Sequence, residues 1–153
     1  MAYWLMKTEP NAFSWQDLVN KPDNREHWDG VRNYQARNNM REMKVGDLVF
    51  IYHSVIKPQE IAGIAKVVKE AYTDDTQFDP ASKYFDPKSK EDNPRWIMVD
   101  VQAVQAIDPP ITRDELQMLH ELQEMVLFKN TRLSVQAVTE TEWKMITGLR
   151  KSG

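Results

Sequence analysis

Short apolar segments that do not alternate regularly with helices are the feature that most restricts the fold of this chain. Runs rich in β-branched and aromatic side chains, typical of strands, cover residues 2–6, 48–53, 61–68, 96–104 and 133–138. A doubly wound parallel sheet requires regular alternation of strands and helices, so this order disfavours it. We expect an α+β fold, with a mixed, mostly antiparallel β-barrel of five or six strands surrounded by short helices.

Four helix starts are predicted from capping residues that precede apolar side chains at helical spacing. They lie at Ser14 with Asp17, at Asn33, at Thr112 with Glu115, and at Thr139 with Glu142. Pro109 and Pro110 are expected to end the strand before them, and leucines recurring from Leu116 predict a helix that reaches Met125.

Two features inside this pattern predict local irregularity. Gly63 lies within an apolar strand, which indicates a bulge or the close approach of another group. Residues 72–94 are polar and rich in Asp, Lys and Pro, so we expect a long loop with little regular structure. Loops of this length in compact domains are often functional or partly mobile.

The length and composition restrict the class of protein. A chain of 153 residues is the usual size of one domain, so residues 1–153 are interpreted as a single domain. The chain has no cysteine, which excludes disulfides, thiolate metal sites and thiol catalysis. The apolar run at the N-terminus is too short for a signal peptide or a membrane span, so we expect a cytoplasmic protein without a membrane partner.

The charge is unevenly distributed. The net charge of −3 counts against a general nucleic-acid binder, since phosphate neutralisation dominates that kind of affinity. Residues 25–44 nevertheless carry five basic and three acidic side chains, whereas residues 70–92 carry three basic and seven acidic ones. A basic strip beside an acidic segment permits local contact with phosphate, although the charges taken alone favour ordinary surface variation.

Several segments together resemble the EVE domain family. They read YWLMKTEP at the start, WDGVRNYQARNNMREMKVGDLVFIYHS, IAGIAKVVKEAYTDDTQFDP, RWIMVDV, and RLSVQAVTETEW near the end. The long second segment, residues 28–54, is the most specific. This sequence differs from the family pattern at Thr8, where serine is usual, and at Ala137, where proline is frequent.

The resemblance implies a PUA-like barrel, related to the PUA, ASCH and YTH domains. It also implies a non-catalytic module that recognises a modified base, in particular a modified cytosine, without a cofactor or a metal ion. The expected partner is therefore DNA or RNA that carries such a base, and the sequence leaves both the nucleic acid and the oligomeric state open. Because fold alone does not establish function, the residues must be able to do this chemistry.

A site that reads a base needs aromatic rings for the base faces and a few polar groups for the base edge. The candidates for the base-binding pocket are Lys7, Thr8, Glu9, Trp28, Val31, Asn33, Tyr34, His53, Ser54, Leu133 and Ser134. Trp28 is the first candidate for stacking, with a buried core aromatic as the alternative. Asn33 can instead cap a helix, and His53 can be a core histidine bonded to backbone.

Three arginines are candidates for phosphate binding, namely Arg32, Arg37 and Arg132. Arg32 and Arg37 flank a predicted helix start, where free backbone N–H groups favour an anion. The alternative for Arg37 is a solvated helix face, and for Arg132 an ordinary strand entry.

Two other functions stay open. Some ASCH relatives are amidohydrolases of acylated cytidine that use a lysine, a threonine and a glutamate, and Lys7, Thr8 and Glu9 supply these residue types. Their consecutive positions count against a shared site, because neighbours in a strand point to opposite faces. The acidic loop could also make the chain a protein-interaction module. The three histidines lack metal-ligand spacing, and no phosphate-binding glycine loop is present.

Overall fold

The computed structural model describes residues 1–150 and contains six strands. They are β1 Tyr3–Thr8, β2 Arg25–His27, β3 Leu48–His53, β4 Glu60–Thr73, β5 Ile97–Thr112 and β6 Val135–Val138. All five predicted strands are present, and β2 is the additional one. The sequence did not reveal β2 because its three residues are polar and follow a turn.

Five helices surround the strands: α1 Trp15–Val19, α2 Tyr34–Glu42, α3 Arg113–Gln117, α4 Val126–Lys129 and α5 Glu140–Thr147. The predicted caps are confirmed, since Ser14 and Thr139 form complete capping boxes and Asn33 and Thr112 cap α2 and α3 through their side chains.

The predicted helix from Leu116 to Met125 is wrong. α3 ends at Gln117, and a turn of 3₁₀ helix at His120–Leu122 follows. The Gln123 side chain donates to the Gln117 and Leu119 carbonyl oxygens at 2.7 and 2.9 Å, and so satisfies acceptors that a continuous helix would have used.

The sheet is mixed and open, in the order β2-β5-β4-β3-β1-β6. β1 and β3 are parallel and every other pair is antiparallel, as expected for a mostly antiparallel sheet. The predicted closed barrel is wrong, because β2 and β6 remain edge strands of three and four residues.

Helix α2 covers the region that barrel closure would have filled. It contacts both β5 and β6, from opposite parts of the sheet. Asn39 in α2 donates from Nδ2 to the Val135 carbonyl oxygen at 2.7 Å, which satisfies an acceptor on the edge strand β6. A helix therefore protects this edge where strand pairing does not.

The sheet is buried on both faces, which explains the continuous apolar run of β3. Val49 and Ile51 belong to one core, together with Trp15 and Met40 from α1 and α2. Phe50 and Tyr52 point the other way, into a second core covered by residues of α3, α4 and α5. The loops that precede α1 and α2 therefore lie on the side of the sheet that holds the first core.

Gly63 lies where β4 meets α1. The register of β4 shifts between Ile61 and Gly63, so the expected bulge is confirmed. The close approach is confirmed as well, because a Cβ at Gly63 would lie 2.5 Å from the Trp15 indole. The indole ring thus packs directly on the glycine backbone and positions α1 against the sheet.

The predicted strand end at Pro109 and Pro110 is also wrong. β5 continues to Thr112, and its register with β4 changes between the pairs Gly63↔Ala106 and Ile61↔Ile111. The prolines fall within this irregular stretch, where no ladder N–H is needed from them.

The long polar loop is anchored rather than loose. A 3₁₀ turn at Asp75–Phe78 follows β4, and Asp74 and Gln77 are fully buried. Gln77 donates to the Asp74 and Trp96 carbonyl oxygens, and Asp86 accepts from the Trp96 indole at 2.7 Å. The Asp74 backbone and the Asp86 side chain therefore hold the loop in place through Gln77 and Trp96.

We expect Gly63→Ala to lower the free energy of unfolding by about 1–3 kcal/mol, because the new methyl group overlaps the Trp15 ring. Urea denaturation measures the change. Gly148→Ala is the matched control, with a helical φ of −68° and a nearest atom at 3.2 Å, and should stay within about 0.5 kcal/mol of the parent. Equal stability of the Gly63→Ala variant and the parent would contradict this packing.

Candidate functional site

A cavity of about 640 Å³ opens where β1 ends, between the segment before α2 and the long loop. This volume is within the range of about 300–1,000 Å³ that is usual for ligand sites. The cavity is lined by Lys7, Thr8, Glu9, Ala12, Phe13, Glu26, His27, Trp28, Asp29, Gly30, Val31, Arg32, Lys83, Tyr84 and Ser134. Of the fourteen predicted site residues it brings together Lys7, Thr8, Glu9, Trp28, Val31, Ser134 and Arg32.

Backbone contacts fix the corner at the end of β1. The Lys7 N–H donates to the Ser134 carbonyl oxygen at 2.8 Å, which joins β1 to the segment before β6. The Thr8 hydroxyl donates to the Phe13 carbonyl oxygen at 2.6 Å, while the Phe13 N–H donates to the Glu9 carbonyl oxygen. This tight turn places the Phe13 ring at the cavity, a position that the sequence did not reveal.

Trp28 and Phe13 form the aromatic wall. Their rings meet edge to face, with centroids 5.9 Å apart and an interplanar angle of 88°. Trp28 is 8% exposed and packs in the first core, as the alternative of a buried core aromatic predicted. It also lines the cavity.

The indole N–H of Trp28 is available at this wall. Within residues 1–150, Gln136 Oε1 is the one buried side-chain nitrogen or oxygen atom that lacks a hydrogen-bond partner. Trp28 Nε1 makes no hydrogen bond in that range either, so it must be accessible to solvent. The indole N–H is therefore free to donate to a ligand.

The opposite side of the cavity depends on Gly30. Its φ of +78° lies in the left-handed region, and a Cβ there would be 2.5 Å from the Tyr84 ring. Tyr84 therefore packs directly on the Gly30 backbone. Glycine is required twice at this position, for conformation and for space.

A buried carboxylate holds this side in place. Asp74 is fully buried and accepts from the Gly30 N–H at 2.9 Å, from Arg32 Nη1 at 3.1 Å and from the Thr76 N–H at 2.9 Å. Burial raises the pKa of Asp74, but the hydrogen bonds from Thr76, Gly30 and Arg32 outweigh it and hold the pKa below its ordinary value.

Arg32 is committed to the same network. Its remaining nitrogens donate to the Tyr84 carbonyl oxygen at 2.9 and 3.0 Å and to the Thr76 hydroxyl at 3.1 Å. A phosphate would have to displace these partners, so the structure gives Arg32 a supporting role. The predicted phosphate contact of Arg32 stays a prediction without support from this geometry.

Two carboxylates and a histidine in and beside β2 line the cavity, namely Glu26, Asp29 and His27. His27 lies 3.0 Å from Glu26 through Nδ1 and 3.6 Å from Asp29 through Nε2. Burial raises the pKa of Asp29 and the charge of Asp74 adds to this, while His27 opposes it. The Asp29 carboxyl group therefore gains a proton more readily than an exposed aspartate.

Seven predicted site residues do not line the cavity. Asn33 caps α2 by accepting from the Ala36 N–H, and His53 Nε2 accepts from the Trp15 N–H at 3.0 Å. Both alternatives given for these residues are thus confirmed. Tyr34 stacks on Trp96, and the Ser54 hydroxyl donates to the Thr8 carbonyl oxygen. Arg37 donates to the Arg95 carbonyl oxygen. Leu133 is buried, and Arg132 is exposed.

The burial of His53 has a clear electrostatic consequence. Burial lowers the pKa of His53, and the nearby Glu60 carboxylate opposes this only in part. The neutral ring is the form whose Nε2 can accept from the Trp15 N–H. His53 therefore supports α1 rather than contacting a ligand.

Sequence reasoning missed the contribution of the long loop. Lys83 and Tyr84 are far from the other lining residues in sequence, and packing on Gly30 together with the Arg32 hydrogen bonds brings Tyr84 to the cavity. Gly30 itself was the available signal, because an isolated glycine beside Trp28 indicates a left-handed conformation or a close contact.

Within residues 1–150, no helix combines the length and the apolar character needed to cross a membrane. No group of three or more acidic or histidine side chains in that range is arranged to hold a metal ion. The expected cytoplasmic location stays a prediction.

Comparison with known proteins reveals close relatives. A family model described as the EVE domain matches residues 2–149. Human thymocyte nuclear protein 1 is 45% identical over 167 residues, which cover 98% of this chain and 74% of that protein. The structure of that human protein in complex with 5-methylcytosine-containing DNA matches with a TM-score of 0.94 at 44% identity, covering 100% of this chain and 99% of the other. A hypothetical protein from Leishmania major matches with a TM-score of 0.93 at 48% identity, covering 97% and 94%.

We expect Asp74→Asn to destabilise the fold by about 3 kcal/mol or more, because Arg32 loses its buried counter-charge. Hydrogen bonds lower the folded-state pKa of Asp74, so its contribution is complete above about pH 4 and is lost as the pH falls through the lowered value. Urea unfolding measured from pH 7 to pH 3 should show a weaker acid dependence in the variant. Asp75→Asn, at the exposed neighbouring position, should follow the parent, and a shared profile for all three proteins would refute the assignment.

Proposed function

This chain belongs to the EVE domain family, and we propose that it is a non-catalytic module that binds DNA through a modified cytosine held in the cavity beside β1. The observation that carries the proposal is the cavity itself, which combines two perpendicular aromatic rings with an accessible indole N–H and half-buried carboxyl groups. The similar human protein was crystallised with DNA that contains 5-methylcytosine, which supports DNA as the partner.

The aromatic wall suits a single flat heterocycle. Moving a base out of the stack costs a few kcal/mol, and stacking on an aromatic side chain returns about 1–3 kcal/mol. Trp28 offers a ring face, while Phe13, perpendicular to it, closes the cavity beside that face. A base in this position would replace much of the stacking that it leaves behind.

The polar groups match the edge of a cytosine. Cytosine presents an exocyclic amine as donor, and its ring nitrogen and carbonyl oxygen accept. The Asp29 carboxyl group can accept from the amine, and Trp28 Nε1 can donate to an acceptor. The Ser134 hydroxyl, also at the cavity, can do either.

A methyl group on the base would require an apolar contact. Ala12, Phe13 and Val31 supply apolar surface at the cavity. Fitting one extra methyl group into an apolar pocket discriminates by about 1–3 kcal/mol, or roughly tenfold and upward. The proposal therefore requires a measurable preference for the methylated base over plain cytosine.

We expect the protein to bind an oligonucleotide with one 5-methylcytosine at least about tenfold more tightly than the same oligonucleotide with cytosine. Trp28→Phe should reduce this preference, because it removes the indole donor and part of the stacking surface. Fluorescence anisotropy at one stated salt concentration measures both affinities.

Trp143→Phe is the matched control. Trp143 is 5% exposed, packs on Phe50 in the other core and is remote from the cavity, so its replacement costs packing without changing a ligand contact. Equal affinity of the parent for the two oligonucleotides would refute the proposed function. A loss of preference in both variants would assign the effect of Trp28 to stability alone.

The amidohydrolase alternative has specific observations in its favour. Lys7, Thr8 and Glu9 all line the cavity. Lys7 Nζ, however, lies 5.7 Å from the centroid of the Tyr52 ring in the second core, so the expectation that three consecutive side chains do not share one site is not overturned. Glu9 lies in the turn that follows β1, so its direction is not fixed by the strand. Burial lowers the pKa of Lys7, and the positive charge of Arg113 adds to this effect.

The hydrogen bonds favour binding over this catalysis. The Thr8 hydroxyl donates its proton to the Phe13 carbonyl oxygen, and Lys7 Nζ donates to the Thr131 carbonyl oxygen at 2.7 Å. A threonine nucleophile needs a base that accepts this proton, and neither Lys7 nor Glu9 is hydrogen-bonded to the hydroxyl within residues 1–150.

We expect no release of acetate when the protein is incubated with N4-acetylcytidine, because the Thr8 proton has no acceptor base. Chromatography of the nucleoside over hours of incubation checks this. Turnover that disappears in Lys7→Ala and Thr8→Val variants would establish the amidohydrolase instead.

A further inference from the structure

Tyr34 presents an aromatic ring to solvent next to the cavity but outside it. It is the first residue of α2 and is 51% exposed. The ring stacks on Trp96, with centroids 4.9 Å apart and an interplanar angle of 24°. Trp96 is buried, so Tyr34 extends a rigid aromatic stack from the core to the surface.

The outer face of the Tyr34 ring is open. Arg37 lies 4.7 Å from the Tyr34 centroid and 5.9 Å from the Trp96 centroid. If the guanidinium covered the outer face of Tyr34, its distance to the Trp96 centroid would approach the sum of 4.7 Å, its distance to the Tyr34 centroid, and 4.9 Å, the distance between the two ring centroids. Arg37 therefore lies beside the two stacked rings, and the face directed away from Trp96 is available.

Two further arginines lie on α2 or at the Tyr34 hydroxyl, and within residues 1–150 only the long Arg95–Asp86 pair matches either of them with a carboxylate. Arg41 shares a face of α2 with Arg37, one turn away, and forms no salt bridge within residues 1–150. Arg95 approaches the Tyr34 hydroxyl at 3.5 Å and Asp86 only at 4.0 Å. In a chain with a net charge of −3, such a cluster favours an anionic partner.

This surface is continuous with the cavity. Arg32 lines the cavity, and its guanidinium lies 5.5 Å from the Trp96 ring on which Tyr34 stacks. One arginine and one indole thus separate the cavity from the Tyr34 ring. The Tyr34 ring therefore lies close to the cavity, on the side of Arg32.

We propose that Tyr34, Arg41 and Arg95 form a second contact with the same DNA strand, which we call the α2 track. The free face of Tyr34 stacks on a nucleotide that flanks the one in the cavity, and the two arginines bind neighbouring phosphates. The α2 track rests on the proposed function for the identity of its partner. It adds affinity without reading the modification, because ring stacking and phosphate contacts do not depend on the modified base.

The test measures two quantities for each variant, the affinity for oligonucleotides with 5-methylcytosine or cytosine and the dependence of affinity on salt. We expect Tyr34→Leu to weaken binding to both oligonucleotides by the same factor, roughly tenfold, while Tyr34→Phe binds like the parent. Leucine keeps apolar contact with Trp96, and a melting curve confirms that the variant is folded.

Arg41→Gln and Arg95→Gln should each reduce the slope of log affinity against log salt by about one phosphate contact. Lys144→Gln is the charge control, since Lys144 is 72% exposed on α5 and pairs with Glu140. Its slope should equal that of the parent.

Two results would overturn the α2 track. In one, the Tyr34 and arginine variants bind both oligonucleotides like the parent. In the other, Tyr34→Leu loses only the preference for 5-methylcytosine, which would place the ring in base reading. A parent protein without that preference would refute the proposed function, yet equal losses on both oligonucleotides in the variants would still support the track.

Discussion

The buried carboxylate of Asp74 is the interaction on which the cavity depends. The segment from Asp29 to Asn33 has no regular secondary structure, so no strand ladder or helix fixes its shape. Asp74 replaces such a ladder, since it accepts from the Gly30 backbone, from Arg32 and from Thr76. One side chain thereby joins the segment before α2 to the long loop, and the two sides of the cavity become a single rigid unit.

This arrangement explains why a binding site can be built from loops without being loose. A site that must hold a base needs its donors and rings positioned before the ligand arrives, because ordering them on binding would reduce the affinity. The Tyr84 ring packs on Gly30, and the Tyr84 carbonyl oxygen accepts from Arg32, so backbone and side chain fix the same residue. Arg32 therefore supports this side of the cavity through its contacts with Asp74, Thr76 and Tyr84.

The sequence was informative where structure is local and uninformative where it is not. Caps such as Ser14 and Thr139 were predictable because a side chain and a backbone N–H three residues apart decide them. The open sheet was not predictable, because only the tertiary position of α2 across β5 and β6 decides against closure. The family pattern located Lys7, Thr8 and Trp28 at the site, but it could not show that Tyr84 joins them, since that contact depends on the course of a long loop.

The net charge of the chain also misleads until the positions of the charges are known. Asp47, Asp74 and Asp100 are buried, and each accepts hydrogen bonds from tryptophan, tyrosine, arginine or backbone groups of the fold. Asp74 and Asp100 are also paired with Arg32 and Arg25, so the charges of these two pairs largely cancel in the potential outside the protein. The cations of α2 are exposed or half-exposed, so their field extends into solvent beside the cavity. A chain with an acidic total can therefore present a basic surface to DNA, because the position of each charge, rather than the sum, determines what a phosphate encounters.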